Sequence, residues 1–313
     1  MNRTLVTGGS GLVGTQFNGD NYIKISSKDY DLRIQKDVDY LFEIMTSSSR
    51  FNNHKPIDSV IHCAGKVGGV ANNMNHKGEF FYDNIMINTN IIEACRKYNI
   101  KKLVCFLSTC IFPDNIEYPL TEKKIHLSEP HFSNDAYAYA KRMADIQIRA
   151  YNEQYGLNYT SIIPSNIYGI NDYFNIENGH VIPSLIHKCY LAKQKNTDFE
   201  IWGNGEALRE FIYSKDVAKL TEWVLNNYND KESLILSNST ETSIKDISYI
   251  IAKEMEFKGD ITFNTTKPNG QHRKPSDNSK LMSLLPDFKF TPIELGIKET
   301  IKWFKENYPS IRK

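Results

Sequence analysis

The sequence predicts an α/β protein: a parallel sheet wound on both faces by helices, with a smaller C-terminal α/β lobe. Two observations carry that expectation and a third divides the chain. In the first half of the 313 residues, short apolar runs alternate with amphipathic stretches, the mark of strands that return through helices. The first apolar run, Thr4–Thr7, passes straight into a glycine-rich turn. Past residue 170, the segments 171–210 and 239–313 lose the regular alternation and carry more Pro, Gly and Asn. The expected division is a sheet domain of residues 1–170 and 212–238 and a lobe of residues 171–211 and 239–313.

Taken in order, strands are expected at Thr4–Thr7, Tyr22–Ser26, Ser59–Cys63, Leu103–Leu107 and Thr160–Pro164. Helices are expected near Leu12–Asn18, Asn84–Tyr98 and Tyr137–Tyr155, then at Ser214–Asn227, with an extended stretch at Leu234–Ser237. In the tail, Pro292–Tyr308, the residues Ile293, Leu295, Ile297, Ile301 and Phe304 suit one face of a helix.

The bulk numbers exclude several classes. Apolar content is 40% and net charge is +1, enough for a packed core and too balanced for a broad nucleic-acid surface. The five cysteines (Cys63, Cys95, Cys105, Cys110, Cys189) are odd in number and lack metal-type spacing, so free thiols in a reducing compartment are expected, and no metal. No apolar run approaches the roughly 20 residues a bilayer needs. The chain enters its first strand at Thr4, so no signal peptide is expected. The expectation is a cytoplasmic protein.

The run Gly8-Gly9-Ser10-Gly11-Leu12-Val13-Gly14 satisfies both G-x-x-G-x-x-G and G-x-G-x-x-G. Between a strand and a helix, such glycines permit a tight turn, close approach of a pyrophosphate and close helix packing. That places a dinucleotide on a Rossmann-type sheet. An acid at the end of the second strand would bind the free ribose 2′-hydroxyl of NAD. Here Ser26, Ser27 and Lys28 occupy that place, and they suit a 2′-phosphate. NADPH is therefore the expected cofactor, with Asp31 further on, near the adenine.

Tyr137-Ala138-Tyr139-Ala140-Lys141 contains Y-x-x-x-K. On a helix, positions i and i+4 share a face, so Tyr137 can give a proton to a carbonyl oxygen while the Lys141 ammonium stabilises the phenolate. Ser108, just past a strand, sits where such folds place reactive side chains and can hold the same oxygen. Tyr139 has no lysine at i+4.

With these motifs the chain resembles the extended short-chain dehydrogenases/reductases, and within them the GDP-L-fucose synthase family of 3,5-epimerase/4-reductases. The resemblance runs almost end to end. It is carried by the glycine run, by Lys66-Val67-Gly68-Gly69, by Leu107-Ser108-Thr109-Cys110-Ile111-Phe112-Pro113 and by the Tyr137–Lys141 motif. It continues in Pro164-Ser165-Asn166-Ile167-Tyr168-Gly169, Gly179-His180-Val181-Ile182-Pro183, Trp202-Gly203-Asn204-Gly205, Arg209-Glu210-Phe211 and Lys267-Pro268-Asn269-Gly270. It implies a GDP-4-keto-6-deoxy sugar as substrate, a homodimer, and a cofactor site that includes Ala64, Leu107, Lys141, Pro164, Asn166 and Ile167. It also implies that Cys110 and His180 carry epimerisation. The C3 and C5 protons flank the C4 ketone, and removing either gives an enolate on the oxygen that Ser108 and Tyr137 hold. Cys110 as thiolate would be the base, favoured by a nearby His180 cation, and His180 would return the proton. At the nucleotide end, Trp202 would stack on the purine and Arg209 fork onto the diphosphate. Lys188 would add a point charge, and Lys267 and Asn269 would reach the base or ribose. The family turn holds an aspartate where this chain has Asn269.

Three other readings compete. A GDP-4-keto-6-deoxy-heptose 4-reductase without epimerisation would use the same residues. An NAD-retaining dehydratase or 4-epimerase is less suited, because dehydratases place an Asp-Glu pair after the catalytic Ser/Thr and this chain has Thr109-Cys110. A non-catalytic NADP-binding sensor has no need of Ser108, Tyr137 and Lys141 together.

Overall fold

A computed structural model describes residues 3–47, 55–267 and 271–313. The elements run β1 (Arg3–Thr7), β2 (Tyr22–Ile25), α1 (Gln35–Thr46), β3 (Ile57–His62), α2 (Val70–Asn75), α3 (Lys77–Lys97), β4 (Lys102–Phe106), α4 (Asp135–Tyr155), β5 (Tyr159–Pro164) and β6 (Asn166–Tyr168). They continue as α5 (Val181–Lys195), β7 (Phe199–Trp202), β8 (Leu208–Tyr213), α6 (Ser214–Asn227), β9 (Leu234–Leu236), β10 (Glu241–Ser243), α7 (Ile244–Met255), β11 (Ile261–Asn264), α8 (Ser279–Leu284) and α9 (Ile293–Asn307).

Six strands form one sheet in the order β2-β1-β3-β4-β5-β9, and every pairing in it is parallel. Both faces are covered, so successive strand residues alternate between two apolar cores. Leu5, Val60 and Leu103 point to α1, α3 and α4. Their neighbours Val6, Ile61 and Val104 point to α6 and α8. The chain steps from β1 outward to β2 and then back across to β3, so the strand order reverses between β1 and β3. In open sheets of this kind the carboxyl ends at that reversal border the ligand crevice. Among the described residues, no helix is long and apolar enough to cross a membrane.

Two expectations needed revision. The helix expected over Leu12–Asn18 is a single 3-10 turn, Gly14–Gln16. Phe17 leaves it with extended backbone and is fully buried against Tyr22, so the apolar anchor pulls the chain out of the helix early. The segments expected to be irregular hold α5 and α7. Pro183 obscured α5, yet it lies in the first turn, where a missing N–H costs nothing. Ser243 caps α7, its hydroxyl accepting the Asp246 N–H at 2.9 Å, a legible start signal. These helices pack with α9 around Phe174, Phe199, Phe211 and Phe304, beside the small sheets β10-β8-β6 and β11-β7.

One buried carboxylate ties α4 to the sheet. Asp145 accepts from Ser233 at 2.8 Å, from Ser161 at 3.1 Å, from His126 at 2.8 Å and from Arg149 at 3.0 Å. Burial opposes its charge, but the hydrogen bonds from His126 and Ser233 and the Arg149 charge prevail and hold the carboxyl below its usual range. A depressed carboxylate contributes stability above its unfolded pKa and loses it as pH falls through the folded one. Asp145→Asn is expected to cost about 3 kcal/mol in urea unfolding at neutral pH. It should also flatten the acid limb of stability against pH, below the ordinary carboxylate range.

Candidate active site

The glycine turn fills the crevice at the reversal point. Gly8 has φ +68°, and a Cβ there would lie 2.9 Å from the Ala64 nitrogen. Gly14 packs tighter, since its Cβ would lie 2.2 Å from the Gly8 oxygen. Gly11 donates to the Gly8 carbonyl at 2.9 Å, and Gly9 donates to the Ile25 carbonyl at 2.7 Å. Ser10 is exposed, Leu12 half-buried and Val13 buried. Gly8, Gly9, Gly11, Ala64 and Gly65 carry no side chain larger than a methyl, so backbone can approach a bulky anion. The residues present fit a dinucleotide.

Past β2, Lys28 is exposed, and its ammonium makes no hydrogen bond or ion pair among the described residues. The Ser26 N–H and hydroxyl both donate to Asp29, at 2.7 and 2.8 Å. The Asp31 carboxylate is taken up by Arg33. On the other flank, Leu107 is buried and donates to the Ile162 carbonyl at 2.8 Å. Pro164 ends β5, and the Asn166 amide donates to the Glu210 carbonyl at 2.8 Å. Ile167, half-buried, pairs with Ile212.

Ser108 follows β4 and caps a one-turn 3-10 helix, Thr109–Ile111, its hydroxyl accepting the Cys110 N–H at 3.3 Å. Tyr137 and Lys141 project from the first turns of α4 and are only 9% and 3% exposed. Burial pushes the Tyr137 phenol above its usual range, while a hydrogen bond with Ser108 pulls the other way. Burial pulls the Lys141 ammonium down. It donates to the Phe106 carbonyl at 2.9 Å. The phenol was expected to be lowered by this lysine, but desolvation outweighs any such effect in the free chain. Tyr139 is surface-exposed under Arg142, 5.6 Å from its ring.

A layer beneath was not foreseen. His62 is fully buried; its Nδ1 pairs with the Thr7 hydroxyl at 2.7 Å and its Nε2 with Asn88 Oδ1 at 3.1 Å. Burial, then the Lys141 charge, drops its pKa to about 3. This neutral ring joins β1, β3 and α3 under the site.

Cys110 is half-buried. His180 begins α5 as its N-cap. It is open to solvent yet walled by protein, as at the side of a cleft, and that burial lowers its imidazole pKa. The expected His180 cation is thus disfavoured at neutral pH. The segment Gly65–Gly69 links the halves: a Cβ on Gly65 would lie 3.4 Å from Lys141 Nζ, and Gly69 donates to the Asn178 carbonyl at 2.8 Å. Two cations, Arg209 and Lys274, lie within electrostatic reach of Cys110, and burial lowers both. Lys274 lies outside the motifs named above. Its place is fixed on either side by Tyr118 hydroxyl on the Arg273 carbonyl, 3.0 Å, and Leu120 N–H on the Pro275 carbonyl, 2.9 Å. Arg209 donates to the Leu208 carbonyl at 2.7 Å and has no carboxylate partner among the described residues.

Trp202 ends β7, 37% exposed. Lys188 lies 3.9 Å from its ring centroid and Lys267 5.2 Å. Lys188 is lowered to about 8, chiefly by burial. Asn269 lies outside the described residues. Among those residues no group of three or more His, Cys, Asp or Glu side chains could hold a metal ion.

A glycine turn at a sheet reversal, with Ser, Tyr and Lys converging at the neighbouring strand end, defines a dinucleotide-dependent enzyme of the extended short-chain dehydrogenase/reductase class. The NAD dependent epimerase/dehydratase family model matches residues 4–236. A GDP-L-fucose synthase of Dictyostelium discoideum is 49% identical over 99% of this chain and 97% of its own. A probable GDP-L-fucose synthase of Drosophila melanogaster is 40% identical, with all of both chains covered. The crystal structure of a GDP-L-fucose synthetase from Naegleria fowleri bound to NADP superposes with TM-score 0.91 and 44% identity, over 100% of this chain and 95% of that one. The chain belongs to the GDP-L-fucose synthase family, within the NAD dependent epimerase/dehydratase family.

Gly14→Ala must open the turn, because its Cβ would strike the Gly8 carbonyl. It is expected to lower stability by about 1–3 kcal/mol and to weaken dinucleotide binding about tenfold or more, read by thermal melting with and without the nucleotide.

Proposed function

We propose that this chain is an NADPH-dependent 3,5-epimerase/4-reductase of GDP-4-keto-6-deoxy-mannose. The observation that carries the reading is that Lys141 of α4 donates to the Phe106 carbonyl at the end of β4, which brings the helix that bears Tyr137 to Ser108, with Cys110 hydrogen-bonded to Ser108 through its backbone. One oxygen of a substrate can sit on both hydroxyls, and both reactions develop charge on one oxygen, that of C4. NADPH, when bound, supplies the hydride that goes to C4. Residues 1–170 and 212–238 serve the cofactor, and residues 171–211 and 239–313 the sugar nucleotide. Gly8, Gly9, Gly11 and Gly14 seat the pyrophosphate, Lys28 meets the 2′-phosphate and Lys141 the nicotinamide ribose. Tyr137 donates its proton to the C4 oxygen, with Lys141 beside it to offset the charge left on the phenolate.

Cys110 and His180 act as a pair that shares one proton. With the proton on the sulfur, His180 is the neutral imidazole its surroundings favour. Moving it to His180 makes a thiolate base and an imidazolium acid with no change in total charge. The thiolate takes the proton from C3 or C5, Ser108 and Tyr137 hold the enolate oxygen, and His180 returns a proton to carbon. Arg209, Lys274 and Lys188 form a set of cations suited to the diphosphate, with Trp202 and Lys267 at the base.

The protein works as a cytoplasmic homodimer in this reading. Phe81 and Tyr82 of α3, with Met143 and Ile146 of α4, are exposed apolar side chains that a second copy would cover.

The test supplies GDP-4-keto-6-deoxy-mannose and NADPH in D2O. Nicotinamide oxidation with deuterium at C3 and C5 is expected; oxidation without deuterium would leave a reductase alone. Tyr137→Phe should slow reduction by about 100-fold or more while deuterium exchange persists. Cys110→Ser should do the reverse, and equal losses in both steps would refute the division of labour. Separately, Lys28→Ala should weaken NADPH about tenfold and leave NADH nearly unchanged, measured by direct titration.

A further inference from the structure

Beyond β2 the chain holds one arginine by its backbone and by the edges of its guanidinium. The buried Asn90 amide of α3 donates to the carbonyls of both Leu32 and Arg33, each at 3.0 Å. The Arg33 side chain then lies between two carboxylates. Its Nε donates to Asp31 at 2.9 and 3.3 Å, its Nη2 to Asp31 at 2.7 Å, and its Nη1 to Asp83 at 3.1 Å. Asp83 is itself held by Lys66 at 3.0 Å, which also pairs with Glu79 at 2.6 Å. Backbone and fork are thus both anchored, yet the side chain remains 45% exposed.

The location gives this a meaning. The Gly9–Ile25 hydrogen bond sets the glycine turn against the end of β2. A dinucleotide seated on that turn lays its adenosine half over the residues that follow β2. The guanidinium edges are spent on carboxylates, so the group is poorly placed to grip a phosphate. The planar face is what it has to offer, and a guanidinium face stacks on an aromatic ring.

We infer that Arg33 is the platform on which the adenine of the cofactor stacks, its plane held level by Asp31 and Asp83. Asp31 then acts through Arg33 rather than on the base itself, and Lys28 is left for the 2′-phosphate. The inference rests on the NADPH reading for the identity of the dinucleotide.

The test is direct binding by calorimetry, without turnover, for wild type, Arg33→Ala, Arg33→Lys and Asp83→Asn. The probes are NADPH, NADH and reduced nicotinamide mononucleotide, which lacks the adenosine. Arg33→Ala is expected to weaken NADPH and NADH by the same factor, about tenfold, and to leave the mononucleotide unchanged. Arg33→Lys should not rescue, because it keeps the charge and loses the plane. Asp83→Asn, which keeps the arginine but loosens it, should show the same pattern more weakly. A loss confined to NADPH and rescued by lysine would overturn the inference in favour of a phosphate contact. Unchanged dinucleotide affinity in Arg33→Ala, or a parallel loss of the mononucleotide, would overturn it as well. A wild type that bound neither dinucleotide would overturn the cofactor reading itself, a result distinct from all of these.

Discussion

The site depends on one buried ammonium. Lys141 is almost wholly enclosed, and among the described residues it meets no carboxylate and donates to the Phe106 carbonyl at the end of β4. Burying an unpaired cation is expensive, so the surroundings must be rigid enough to keep it in place. They are arranged around it: His62 beneath is neutral, Gly65 leaves space where a side chain would crowd the ammonium, and Asp145, one helical turn further along α4, anchors the helix to β5 and to Ser233, which leads into β9. In the proposed mechanism, a phenolate or a ribose hydroxyl beside it would offset part of the cost of its burial.

The same logic repeats at the other end of the cleft. Arg209, Lys274 and Lys188 are each lowered by burial, and none has an ion-pair partner among the described residues. Cations kept short of counterions, and in part short of water, would lose little hydration on meeting the diphosphate of the proposed substrate. By contrast Arg33, Arg273 and Lys66 are fully engaged with carboxylates. The protein therefore separates cations left without carboxylate partners from cations used to fix geometry.

Local spacing made part of this visible. The glycine turn, Ser108 with Cys110 two residues on, and Tyr137 four before Lys141 are each contained in one short segment, where strand or helix periodicity alone sets which side chains share a face. The positions of β1, β3, β4 and β5 followed for the same reason: a strand buried on both faces must be an apolar run. The helix after the glycine turn was misjudged because Phe17 obeys the core, not the helix. Arg33 stayed hidden because its second carboxylate is 50 residues away, and the Thr7–His62 pair because its members are 55 apart.

The sequence by itself determined the class of fold and the chemistry of reduction, since both reside in motifs whose geometry is fixed within a turn or two of backbone. It also favoured a 2′-phosphate, because Ser26, Ser27 and Lys28 stand at the end of β2 where an NAD site would place an acid. Only the tertiary structure decided the charge states and the partners. Whether His180 is a cation, which lysines are unpaired and which arginine edge is free depend on desolvation and on contacts between distant segments, and neither is encoded in the spacing of residues along the chain.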